Sequence, residues 1–148
     1  MPKLRSALAL ALFLLAGAAA CTPRETVPGP SAASAGPLVS SLQVETSTDS
    51  VRFVLQVTNA TAAPMALEFS SGQTFDFVVL DGERELWRWS ADRMFTQALR
   101  SETLAAGETR TYEAAWRPPA GVRGRLVARG YLTARGLRAE QQSYFQLP

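Results

Sequence analysis

Histidine is absent from the sequence and cysteine appears once, at Cys21. Within one chain those absences exclude disulfides, Cys/His zinc sites, Ser-His-Asp triads and Cys-His dyads. Carboxylates and serines remain, but no base, nucleophile pair or metal-ligating cluster stands beside them. Carboxylate-based glycan cleavage is the enzymatic route left, and it is the weakest reading. The chain is expected not to be an enzyme, to hold no cofactor or metal and to bind no nucleic acid. Length is also limited: 148 residues leave room for one domain, and the first forty look unlike the rest. The apolar run at the N-terminus is too short to stay in a bilayer, because it covers about 10–14 residues where a span needs roughly 20.

That run has the layout of a secretory signal peptide over residues 1–20. Lys3 and Arg5 form a positive start, Ala7 to Ala16 carries no charge, and the small residues Gly17 to Ala20 precede Cys21. A lone Cys directly after such a segment is where bacterial lipoproteins are cleaved and acylated. The tetrad Ala18-Ala19-Ala20-Cys21 departs from the lipobox at Ala18, where Leu is usual, and it also fits an Ala-x-Ala site for ordinary secretion. The lipoprotein reading is preferred, since an unpaired Cys at that spot by chance in a secreted protein is an unlooked-for arrangement. The chain is therefore expected in the cell envelope, held to a membrane through lipid on Cys21, with soluble secretion as the alternative. Residues 21–40, rich in Pro, Gly, Ser and Ala, are expected to be a tether.

Removing residues 1–20 takes away Lys3 and Arg5 and leaves 13 Arg against 13 acidic residues, a mature charge near zero. The distribution is uneven. Arg117, Arg123, Arg125, Arg129, Arg135 and Arg138 fall in one stretch with no acid before Glu140. This is either a basic face for an anionic partner or, the plainer reading, solvated side chains alternating outward along two strands.

From residue 41 to 148 the pattern has period two. Val51, Phe53, Leu55 and Val57 share one face of a strand; Leu42, Val44 and Thr46 form a strand before it, and Met65, Leu67 and Phe69 one after. Thr74 to Leu80 and Glu83 to Trp89 are expected to form a hairpin on a two-residue Asp81-Gly82 turn. Arg110 to Trp116, Gly124 to Leu132 and Arg138 to Leu147 bring the count to about eight. Turn signals every 8–12 residues argue for an all-β antiparallel sandwich, expected as a monomeric domain. Ser90 to Leu104 breaks the rhythm and is expected to be a crossover, with Ser90 capping one helical turn. Trp87 and Trp89 share a face and are expected in the core. Gln73, Asp76, Ser90 and Gln97 stand among large apolar groups, so their burial calls for hydrogen-bond partners in the turn and crossover.

The run Phe69-Ser70-Ser71-Gly72-Gln73-Thr74-Phe75-Asp76-Phe77, then Leu86-Trp87-Arg88-Trp89-Ser90 and Phe95-Thr96-Gln97, resembles the central pattern of the BsuPI, or intracellular proteinase inhibitor, family. Leu104-Ala105-Ala106-Gly107-Glu108, Tyr112 and Trp116 resemble its next turn and strand, so the likeness covers nearly all of residues 42–132. It implies an immunoglobulin-like β-sandwich and inhibition of an intracellular serine protease; the export signal departs from that context. Two candidate partner-binding loops follow, Asp92-Arg93-Met94 in the crossover and Arg117 before Pro118-Pro119, whose ring resists cleavage. The competing reading is a non-inhibitory structural or assembly lipoprotein that uses the sandwich as a protein-interaction module.

The anchor has a direct test. The mature protein should exceed the mass of residues 21–148 by a diacylglycerol group, and Cys21→Ala should release it from the membrane, because acyl chains supply about 0.8 kcal/mol per buried CH₂. An unmodified mass in the soluble fraction would establish ordinary secretion.

Overall fold

The computed structural model describes residues 36–148; the leader, Cys21 and the tether up to residue 35 lie outside the described residues. The period-two segments become nine strands: β1 (Leu38–Thr46), β2 (Val51–Asn59), β3 (Met65–Phe69), β4 (Phe75–Asp81), β5 (Arg84–Arg88), β6 (Arg100–Leu104), β7 (Thr109–Trp116), β8 (Gly124–Leu132) and β9 (Glu140–Leu147). One sheet has the order β1-β2-β7, the facing sheet β5-β4-β8-β9, and β3 pairs with β6 in a separate ribbon. Each pairing is antiparallel. The result is the expected immunoglobulin-like antiparallel β-sandwich.

Phe53 of β2 sits at its centre. Its ring stacks on Phe77 of β4 at 5.7 Å and on Trp87 of β5 at 5.6 Å, and meets the edge of Phe145 of β9 at 6.1 Å. One side chain thus touches three strands of the opposite sheet, the interdigitation that holds a sandwich together. Leu67 and Phe69 of β3 and Leu104 of β6 are fully buried, so the ribbon is sealed against the same core. Buried Gln141 of β9 donates through Nε2 to Ser40 Oγ of β1 at 3.1 Å and ties the two sheets along one side. Asn59, also fully buried, closes one end: its Nδ2 donates to the carbonyls of Ala63, Leu104 and Ala105, while its Oδ1 accepts from Thr61 N.

Four sequence expectations change. Residues 38–40, assigned to the tether, belong to β1: Leu38 is 2% exposed and pairs with Asn59, and its apolar signal is hidden behind a Gly-Pro pair. The described residues form nine strands because β6 lies inside the supposed crossover; Arg-Ser-Glu-Thr-Leu buries fully only its last residue and so shows no alternation. No helical turn starts at Ser90. Two overlapping turns form there instead, with Ala91 N–H on Arg88 O and Arg93 N–H on Ser90 O, each at 3.2 Å. Ser90 does not cap because its hydroxyl is engaged elsewhere. The hairpin loop is Gly82-Glu83, since Asp81 pairs with Arg84 and forms an ion pair with it at 3.2 Å. Gly82 takes the left-handed conformation (φ +59°) that the first loop position requires.

Gly130 of β8 lets the two sheets approach. A Cβ there would lie 2.9 Å from Phe77 Cε1 and 3.2 Å from Leu42 Cδ1. Gly130→Ala should cost about 1–3 kcal/mol by overpacking, read as a lower denaturant midpoint with an unchanged slope.

Candidate functional site

The segment from Trp89 to Leu99 joins β5 to β6 without regular structure. It is nevertheless fixed at three points. The first is Asp76. Phe77 faces the core, so Asp76 faces the outside of its sheet, yet it is only 1% exposed because neighbours close over it. Its Oδ1 accepts from Phe77 N (2.9 Å) and Ser90 N (3.1 Å). Its Oδ2 accepts from Ser90 Oγ (2.6 Å), Arg88 (3.2 Å) and the Tyr131 hydroxyl (3.2 Å). Arg88 also donates to Tyr131 Oη at 2.8 Å. A buried carboxylate is tolerable on these terms, with donors on both oxygens and a guanidinium beside it. Arg88 is held charged chiefly by Glu85, its ion-pair partner at 2.6 Å. Burial, followed by the charge of Asp76, pushes the Tyr131 phenol above its usual range.

The second point is Trp89, whose indole stacks on Phe75 at 4.2 Å and packs with Phe95 at 5.8 Å. The Arg93 guanidinium lies over the indole at 4.3 Å and its Nε donates to Trp89 O at 3.1 Å. The third is Thr96, whose carbonyl accepts from Gly72 N at 2.8 Å. A Cβ on Gly72 would fall 2.6 Å from Thr96 Oγ1, so the turn before β4 needs glycine to reach the segment. Between the second and third points Met94 is 100% exposed.

Of the residues singled out in the sequence, Gly72, Asp76, Trp89, Ser90 and Phe95 gather around this segment, and Asp92, Arg93 and Met94 form its outer part. Gln73 stays close, with Nε2 donating to Phe75 O at 3.3 Å and its carbonyl accepting from Thr133 Oγ1 at 2.6 Å. Gln97 is exposed and bonds only to Phe95 O at 3.3 Å; with Phe95 tucked against Trp89, the chain after it turns outward. Trp87 is apart, half-buried between Phe53 and Trp116. Trp89 is half-buried too, lidded by Arg93 rather than enclosed in the core. Arg117 is at the opposite end of the sandwich, in a recess with the Ser47–Ser50 turn and Leu147. The two candidate loops therefore cannot act together. Arg88 and Tyr131 were not found from the sequence. Their signal is register: Arg88 alternates with Trp87 and Trp89, and Tyr131 pairs with Asp76, so both share the carboxylate's face.

Comparison with protein families matches residues 38–137 to BsuPI, the intracellular proteinase inhibitor. The chain belongs to the BsuPI family. This is a family of inhibitors rather than of catalysts. Among solved structures, the BsuPI chain is similar to the GAE domain of yeast GGA1, at 13% identity and TM-score 0.34, covering 78% of this chain and 96% of that one. It is also similar to the GAE domain of GGA2p from Saccharomyces cerevisiae, at 14% identity and TM-score 0.31, covering 82% and 98%. Comparison with curated proteins gives no match.

Asp76→Ala in the BsuPI domain should cost about 2–4 kcal/mol, since it strands the Ser90 amide and leaves Arg88 beside a buried void. The check is equilibrium denaturation, and proteolysis of the segment from Trp89 to Leu99 should accelerate in parallel.

Proposed function

We propose that this BsuPI domain inhibits a serine proteinase by presenting the segment around Met94 to the enzyme's active-site cleft. The observation that carries this reading is the full exposure of Met94 between two clamps, Arg93 on Trp89 and Thr96 on Gly72. A loop fixed before it binds loses little conformational entropy on docking, which is what tight inhibition of a protease requires. Met94 is unbranched and apolar, and it would fill an apolar primary specificity pocket. The leader and Cys21 support an envelope location, with the target outside the cytoplasm and the inhibitor retained by lipid.

The test is inhibition by the purified mature chain of serine proteinases that cleave after large apolar residues, alongside Met94→Asp and Arg117→Ala. Met94→Asp should raise the inhibition constant by about 30-fold or more, the scale of losing a central hot spot, with no change in melting temperature. Arg117→Ala should leave it unchanged. Inhibition relieved by Arg117→Ala and not by Met94→Asp would move the site to the other end of the domain, and no inhibition by the parent would overturn the reading.

A further inference from the structure

The outer face of the β4-β8-β9 sheet holds a feature that inhibition does not use. Along β8, Arg125, Val127 and Arg129 alternate outward, and beside them lie Leu80 of β4 with Gln142 and Tyr144 of β9. Together they bound an open recess of about 450 Å³. Leu80 is nearly buried although it faces away from the core, so the floor of the recess is apolar and covered by its rim. Tyr144 is among the few large apolar side chains left exposed.

The two arginines are aimed but not neutralised. The Arg125 guanidinium lies 4.3 Å over the Tyr144 ring, and Arg129 Nε donates to Gln142 Oε1 at 3.2 Å. Among the described residues neither forms an ion pair, unlike Arg52, Arg84, Arg88, Arg100 and Arg110; Arg93, Arg117, Arg123, Arg135 and Arg138 are likewise without one, but only Arg125 and Arg129 border this recess. Arg129 also lines an adjoining recess that holds Glu85 and Glu140, but it forms no ion pair with either, and Glu85 is committed to Arg88. Each guanidinium is steadied by a neighbour and keeps terminal amines suited to a carboxylate.

We infer that this recess docks an extended acidic segment of a partner protein, with the pattern acid–x–apolar–x–acid. The argument is spacing. Arg125 and Arg129 are four strand residues apart, about 13 Å along the backbone, with Val127 midway. An extended peptide laid along β8 repeats the same interval: residues i, i+2 and i+4 face the sheet, bringing a carboxylate within reach of each arginine and an apolar side chain over Val127 and Leu80. A recess with an apolar floor fits such a segment better than a lipid surface, which engages projecting cations. It lies near the Asp81–Arg84 hairpin, at the opposite end from Met94, so docking there and inhibition are separable.

The probe is a fluorescein-labelled peptide, Gly-Glu-Ser-Leu-Ser-Glu-Gly, titrated with the full mature chain by fluorescence anisotropy. The Glu-containing peptide should bind at least about ten-fold more tightly than its Gln counterpart, the scale of a charge-assisted contact. It should also bind more tightly than a peptide with the two Glu adjacent. Arg125→Gln and Arg129→Gln should each weaken binding by a similar factor, while leaving the melting temperature and proteinase inhibition unchanged. Equal affinity for the Glu and Gln peptides, or indifference to both substitutions, overturns the inference. So does Arg125-dependent and Arg129-dependent binding to phosphatidylglycerol vesicles without binding to the peptide.

Discussion

A carboxylate with almost no access to water must find its donors within the protein, and Asp76 finds them on three separate elements. Ser90 brings the start of the segment between β5 and β6, Tyr131 brings β8, and Arg88 brings the end of β5. Loss of Arg88 would leave the buried charge unmatched, and loss of Ser90 or Tyr131 would strip it of a hydrogen bond it cannot replace from water. The irregular stretch after β5 is therefore tied to the sheet by polar bonds where it has no ladder of its own. Trp89 depends on this: with Ser90 fixed, the indole has one place to go, flat against Phe75, and Arg93 can then close over it. A buried ionic cluster stabilises less than an apolar core would, but here it fixes where the segment that carries Met94 leaves the sheet.

The sandwich is legible in the sequence where alternation is clean. Gly124 to Leu132 shows one face in and one face out, Val51 to Asn59 does so apart from buried Val54, and both form strands with those bounds. Leu38 and β6 are illegible for opposite reasons: Leu38 is apolar but sits behind Gly36-Pro37, and β6 is polar at nearly every position because it is half of a two-stranded ribbon. Asp76 is legible as a clasp because an acid between two Phe residues has few other options. Its partner Arg88 is not, since pairing it with Asp76 requires the registers of β4 with both β5 and β8, and the irregularity between Val79 and Leu80 shifts one of them. Gln97 misleads because of its apolar neighbours only Phe95 turns inward, while Ala98 and Leu99 stay exposed with it.

Rigidity is distributed unevenly, and the distribution suits binding at loops carried on a fixed frame. The core rings around Phe53 hold the sheets in one relative position, and Asn59 and Gln141 seal an end and a side with fully buried polar bonds. Against that frame the exposed segment around Met94 is short and pinned on both flanks. Preorganisation of this kind lowers the entropic cost of association rather than adding contacts, so in the inhibition proposed above affinity should respond more to the clamps than to the length of the loop.

The position of the chain's entry into the domain bears on how it would work at a membrane. Pro37 O accepts from Ala60 N at 3.0 Å, and Leu38 pairs with Asn59, so the chain enters at the end of the sandwich that also carries the Trp89 to Leu99 segment. With an anchor at Cys21, as proposed, the inhibitory end would be the end nearest the lipid, and the Arg125–Arg129 recess would lie towards the far end. A target that is itself close to the membrane would then meet Met94 without the domain turning over, whereas an acidic partner reaching the recess would approach from the outside. The two surfaces would be served by partners on different sides of one tethered domain, and shortening the segment between Cys21 and Pro37 should impair the first encounter before the second.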